Sequence, residues 1–104
     1  MKVLLVNGSP HKEGCTYTAL CEVGRTLNSC GIDTDVVWIG NKPLAGCIAC
    51  HKCTERNSCI FQDSVNDFLK IAGAYDGFVF GSPVHWGAAT GALTSFLDRA
   101  FYAD

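Results

Sequence analysis

Four cysteines spaced Cys47-x2-Cys50-x2-Cys53-x5-Cys59 concentrate the most reactive side chains of the chain in one short stretch. Three thiolates at two-residue gaps can wrap one inorganic cluster, and a fourth nearby completes a four-thiolate site for [4Fe-4S]. The last gap is longer than in the bacterial ferredoxin run, and no Pro follows. A tetrahedral zinc site is an alternative, although two well-separated C-x2-C pairs are its more usual form. Free thiols, or thiols oxidised in air, are a third. His51 inside the run is read as a solvent-facing loop residue.

A second stretch with chemical content is Val3–Thr18, VLLVNGSPHKEGCTYT. An apolar run breaks at Asn7-Gly8, a polar turn follows, and a helical pattern begins near Cys15-Thr16. A helix start carries unpaired N–H groups and a partial positive charge, which favour an anion. Ser9 and Thr16 add hydroxyls, His11 and Lys12 add donors that can be cationic, and Gly8 and Gly14 permit close backbone approach. The stretch is not a Walker A loop, since Gly8 and Gly14 are one residue too far apart and Cys15 stands where Lys belongs. Phosphate binding and an ordinary strand–helix connection capped by Ser9 or Thr16 both fit it.

Residues 1–104 are long enough for one domain with a real core. A net charge of −2, with no basic run, gives no reason to expect nucleic-acid or membrane binding. The start of the chain lacks the pattern of a signal peptide, and no segment has the length of a membrane span. A cytoplasmic setting is expected, where seven cysteines argue against a disulfide framework. Cys15, Cys21 and Cys30 are read as small apolar residues of the first helix or its ends.

Hydrophobic periodicity predicts strands over about Lys2–Asn7, Asp33–Ile39 and Gly77–Gly81, and helices over about Thr16–Cys30, Ser64–Ala72 and Ala88–Tyr102. Ala19, Leu20, Val23 and Leu27 mark the inner face of the first helix. Ala89, Leu93, Phe96, Leu97, Ala100 and Phe101 mark that of the last. Asp63 is the expected N-cap of the middle helix. Gly40–Phe61 is predicted as one long loop, and a loop of that length usually has a task. Trp38 is read as packing and Trp86 as a loop residue that could cover the core. Asp98-Arg99 is read as an exposed or helix-end ion pair, and Tyr102 as chemically idle.

Strands alternating with helices imply an α/β fold with a doubly wound parallel sheet and right-handed crossovers. The flavodoxin-like order sets the third strand beside the first, giving 2-1-3 with a topological switch point between strands one and three. The loops that meet there are Gly8–Cys15 and Ser82–Gly87. A ligand in that crevice would place a phosphate at the first and an aromatic body against the second.

These two loops resemble those of the NADPH-dependent FMN reductase family, within the flavodoxin-like flavoproteins. Asn7-Gly8-Ser9-Pro10 with Gly14-x-Thr16 is similar to its phosphate loop. Gly81-Ser82-Pro83-Val84-x-Trp86-Gly87, then Gly91 and Phe96-Leu97-Asp98-Arg99, is similar to its flavin-ring loop and following helix. Gly46-Cys47-x-Ala49-Cys50-x-x-Cys53 resembles the iron–sulfur flavoprotein branch. The resemblance implies FMN, with Ser9, Pro10, His11, Gly14, Cys15, Thr16 and Tyr17 at the phosphate and Pro83, Val84, His85, Trp86 and Gly87 along the isoalloxazine. It implies [4Fe-4S] on Cys47, Cys50, Cys53 and Cys59. His85 stands where the family usually has Tyr, and His11 where it often has Arg or Lys, so phosphate affinity is expected to weaken as pH rises through neutrality.

Family members carry two further β/α units beyond the last helix read here, so the sequence corresponds to the three-strand N-terminal portion of that fold. The third strand would then be an open sheet edge, a site for pairing with a second copy of the chain. The function implied is an oxidoreductase in which NAD(P)H delivers hydride to bound FMN and electrons pass to a small-molecule or protein acceptor. No catalytic side chain is assigned, because the flavin carries the chemistry. The alternatives are a non-catalytic electron carrier and a cofactor-free fragment that oligomerises through its edge.

Overall fold

The computed structural model describes residues 1–103. Its elements are β1 (Lys2–Asn7), α1 (Cys15–Ser29), β2 (Asp33–Trp38), α2 (Cys53–Arg56), α3 (Ser64–Ala72), β3 (Gly77–Gly81) and α4 (Gly91–Ala103). The sheet is parallel in the order β2-β1-β3, as expected for a flavodoxin-like fold. Among the described residues, no helix is long and apolar enough to cross a membrane.

β1 is central because its run Leu4-Leu5-Val6 is apolar on both faces, and all three side chains are fully buried. Leu4 and Val6 point into the main core with Val65 and Phe68 of α3 and Phe96 and Ala100 of α4. Phe68 meets Phe96 edge-on at 5.2 Å between ring centroids and Phe78 at 5.4 Å. Each such buried side chain contributes about 1.5–3 kcal/mol relative to exposure. On the opposite face Leu5 meets α1, where a Cβ on Gly24 would lie 3.1 Å from Leu5 Cδ1.

The ends of β1 and β3 approach closely. The Gly8 amide donates to the Gly81 carbonyl at 2.8 Å. A Cβ on Gly8 would stand 2.8 Å from the Leu93 Cβ, and one on Gly81 would stand 3.0 Å from Leu20 and Thr16. Both glycines are demanded by space at the place where two loops must sit side by side.

Several expectations are corrected. The segment 40–61 is not all loop: one helical turn, α2, is closed by Asn57 in the left-handed conformation, whose amide donates to the Cys53 carbonyl. The last helix starts at Gly91, not Ala88, because Ala89 pairs with Val84 in an antiparallel bridge and Thr90 provides the cap. Ala89 is therefore exposed, not inward-facing; Ala19 is exposed as well, off the buried stripe of α1 formed by Leu20 and Gly24. Phe101 is 58% exposed and touches only the rim of the core, edge-on to Phe80 at 6.1 Å. Cys15, Cys21 and Cys30 are all exposed. They lie off the stripe formed by Leu20 and Gly24, so they do not serve as apolar filler.

Candidate functional site

The loop after β1 is shaped from within. Asn7 is fully buried; its Oδ1 accepts from the Ser9 amide at 2.9 Å, and its Nδ2 donates to the carbonyls of Lys12 (3.0 Å) and His11 (3.4 Å). Ser9 is buried too, and its Oγ accepts from the His11 amide at 3.0 Å. Ser9, expected as a phosphate donor, is thus also a builder of the loop. Trp38 Nε1 donates to the Ser9 carbonyl at 2.8 Å, so Trp38 braces this loop from the end of β2.

The loop delivers an uncapped helix. Gly14 is the N-cap of α1, no side chain accepts from the first turn, and that turn holds no acidic residue. The alternative of a connection capped by Ser9 or Thr16 is therefore not what the start of α1 shows. The amides of Cys15, Thr16 and Tyr17 have no acceptor within the helix, and the positive end of its dipole is left for an anion. His11 and Lys12 are exposed beside it. These features fit a phosphate group.

The second loop, between β3 and α4, is folded by Ser82 and Thr90. Ser82 Oγ accepts from the Thr90 amide at 2.9 Å and donates to the Pro83 carbonyl at 2.8 Å. Gly87 turns the tip with φ +63°. Val84, His85 and Trp86 are exposed, Trp86 at 94%, so Trp86 does not cover the core. An aromatic, apolar surface held this way suits a planar ring.

Thr90, 2% exposed, joins the two loops. Its Oγ1 donates to the Gly8 carbonyl at 2.9 Å and accepts from the Leu93 amide at 3.1 Å, capping α4. A helix start at Ala88 would place Thr90 inside the helix and hide its role; a Thr immediately before Gly91 and an apolar periodic run is the sequence signal for the cap. Thr90→Val should destabilise the chain by about 1–2 kcal/mol in urea unfolding, through loss of the cap and of the Gly8 bond.

The cysteine segment forms a third feature. Cys47, Cys50, Cys53 and Cys59 all line one cleft, whose walls include Ile48, Ile60 and Phe61. Ala49 (φ 53°) and His51 (φ 62°) flank Cys50 in the left-handed region, where a non-glycine residue costs on the order of 1–3 kcal/mol. The Ala49 amide donates to Cys47 Sγ at 3.4 Å. His51 Nδ1 lies 3.0 Å from the Tyr102 hydroxyl at the rim, so Tyr102 does engage the segment. Among the described residues no three His, Cys, Asp or Glu side chains are grouped tightly enough to hold a metal ion. The donor set nonetheless fits an iron–sulfur cluster, whose thiolates bind separate irons around its outside: four thiols share one largely apolar cleft, with N–H donors on two sulfurs.

Arg99 is not an exposed partner of Asp98. It is 1% exposed, and all five of its N–H donors have acceptors. Nη1 and Nη2 grip Asp63 Oδ2 and Oδ1, each at 2.8 Å. Nη1 also reaches the Ala45 carbonyl (3.1 Å), Nη2 the Phe61 carbonyl (3.2 Å), and Nε Cys59 Sγ (3.3 Å). Burial works against its charge, but the hydrogen bonds to Asp63 and Cys59 outweigh it, and the guanidinium is held above its usual range. Buried Asn66 adds bonds to both the amide and the carbonyl of Cys59. The signal for Arg99 was its spacing: three residues after Phe96 and four before Ala103, on the buried stripe of α4.

A parallel sheet in 2-1-3 order, with its two structured loops meeting at the switch point, defines a flavodoxin-like protein. The profile of the NADPH-dependent FMN reductase family matches residues 1–104, and the chain belongs to that family. It is 35% identical over 100 residues to an iron–sulfur flavoprotein of Methanocaldococcus jannaschii, covering 96% of this chain and 52% of that one. It is 31% identical over 103 residues to an iron–sulfur flavoprotein of Methanosarcina thermophila, covering 96% and 52%. An iron–sulfur flavoprotein of Clostridioides difficile is also 31% identical over 103 residues, covering 96% and 46%. The chain spans about half the length of these relatives.

Proposed function

We infer that this chain supplies the FMN phosphate loop, the ring-contacting loop and an iron–sulfur segment of a flavin oxidoreductase. The observation that carries this reading is the uncapped start of α1 set beside the loop Ser82–Thr90, with Thr90 bonded to Gly8 between them. The amides of Cys15, Thr16 and Tyr17, with Thr16, His11 and Lys12 nearby, would hold the phosphate. Pro83, Val84, His85, Trp86 and Gly87 would line the ring. Cys47, Cys50, Cys53 and Cys59 would hold the cluster. When bound, FMN supplies hydride and single-electron chemistry, and the protein orients it. NAD(P)H is the proposed donor, with a small molecule or a protein as acceptor. The edge strand β3, with Phe101 exposed beside it, supports pairing with a second copy of the chain.

The test is an absorption spectrum of protein purified and reconstituted without air, with acid-released flavin and iron counted on the same sample. One flavin and about four irons per chain are expected, as a [4Fe-4S] site requires. Oxidation of NAD(P)H by that sample is expected as well. Flavin and iron without nicotinamide oxidation would leave an electron carrier, flavin without iron would remove the cluster, and neither would refute the reading.

A further inference from the structure

We propose that Arg99 is the positioning residue of the cysteine cleft, and that its pairing with Asp63 sets the reduction potential of the centre held there. The proposal rests on the cluster reading for its second half and on the geometry alone for its first. Arg99 gathers the two ends of the segment, Ala45 and Phe61, onto one planar group, and its Nε–H is aimed at Cys59 Sγ. Among the described residues, Cys59 alone of the four sulfurs has a charged side chain as hydrogen-bond partner; Cys47 has a backbone amide. Asp63 neutralises the guanidinium from the far side in a two-toothed pair. A hydrogen bond to a ligand sulfur favours the more negatively charged, reduced state of a cluster. Removing the Nε–H should therefore lower the potential. Removing the Asp63 charge, with Arg99 kept, should raise it.

The reduction concerned is a single-electron one: the titrant gives up one electron, the net charge of the centre falls by one, and no bond forms or breaks. The experiment compares the unsubstituted chain, Arg99→Lys and Asp63→Asn, each reconstituted with iron and sulfide without air, by optical redox titration. Asn is itself a good helix cap, so Asp63→Asn should preserve the start of α3. Arg99→Lys should make reduction about tenfold less favourable, a shift of about 59 mV toward negative potential. Asp63→Asn should shift the potential the other way. Loosening of the segment by itself would move both variants in one direction; a common direction, or no shift in either, overturns the proposal. If Arg99→Lys fails to fold, a positive shift in Asp63→Asn supports it and a null or negative shift overturns it.

If the unsubstituted chain takes up no iron, the cluster reading fails and the clamp is judged on metal-free protein. Amide hydrogen exchange across 45–61 should then be faster in Arg99→Lys while β1 is unchanged. Equal exchange in the two proteins overturns the clamp.

Discussion

Asn7→Asp should lower FMN affinity by about a hundredfold while changing one atom of the side chain. The buried Asn7 amide donates to the carbonyls of Lys12 and His11 and accepts from Ser9. An aspartate keeps the acceptor and loses both donors. Two carbonyls are left without their partner, at about 1–3 kcal/mol for each buried group left unsatisfied. A negative charge is also placed behind a loop whose proposed task is to hold a phosphate. Two effects of about 1.4 kcal/mol each correspond to a factor of about 10² in binding. Titration with FMN and with riboflavin separates them: the variant should lose most of its preference for FMN. An unchanged preference would show that the phosphate does not sit at this loop.

Arg99→Met should lower the melting temperature by about 15 °C. Methionine fills similar length, but the carbonyls of Ala45 and Phe61 and the carboxylate of Asp63 lose their guanidinium donors, and Asp63 keeps only the Val65 amide. Removing one member of a buried ion pair costs about 3–5 kcal/mol. The lower end applies, because the Asp63 side chain keeps 28% of its exposure and can turn to water. For a domain of about this size, each kcal/mol corresponds to roughly 4–8 °C. Scanning calorimetry gives the shift, and limited proteolysis should cut within 45–61 before any other segment. A melting point within a few degrees of the unsubstituted chain would reduce Arg99 to a bystander.

Strands and helices were legible where their signal was local. The apolar run of β1, the Val-rich end of β2 and the stripe Val65, Phe68, Leu69 all report periodicity that tertiary contacts only reinforce. The 2-1-3 order followed from crossover handedness, and the two loops at the switch point from that order. Side-chain destinations that depend on distant partners were not legible. Asp98-Arg99 looks like an ion pair because opposite charges adjoin, yet successive helical residues point about 100° apart. Arg99 turns inward to Asp63, 36 residues away. Ser9 looks like a ligand donor because it is a hydroxyl in a polar turn, but only the fold shows that it is buried against His11. Thr90 was hidden by the Ala88-Ala89 pair, whose helix propensity is overridden by the bridge from Val84 to Ala89.

The closure of Ala45 and Phe61 on one side chain also bears on how such a chain can change over time. A segment whose ends are fastened is a cassette in a socket. Once the ends meet, its interior length is nearly free, each doubling adding only about 0.6 kcal/mol of closure entropy. Insertions, deletions and reshuffled cysteine spacings between those two residues need not disturb β1, while α3 and α4 feel them only through Asn66, Arg99 and Tyr102. The fastening residue lies on α4 and its counter-charge at the start of α3, both outside the cassette. Metal-binding and metal-free versions of the segment can therefore be exchanged on one unaltered sheet.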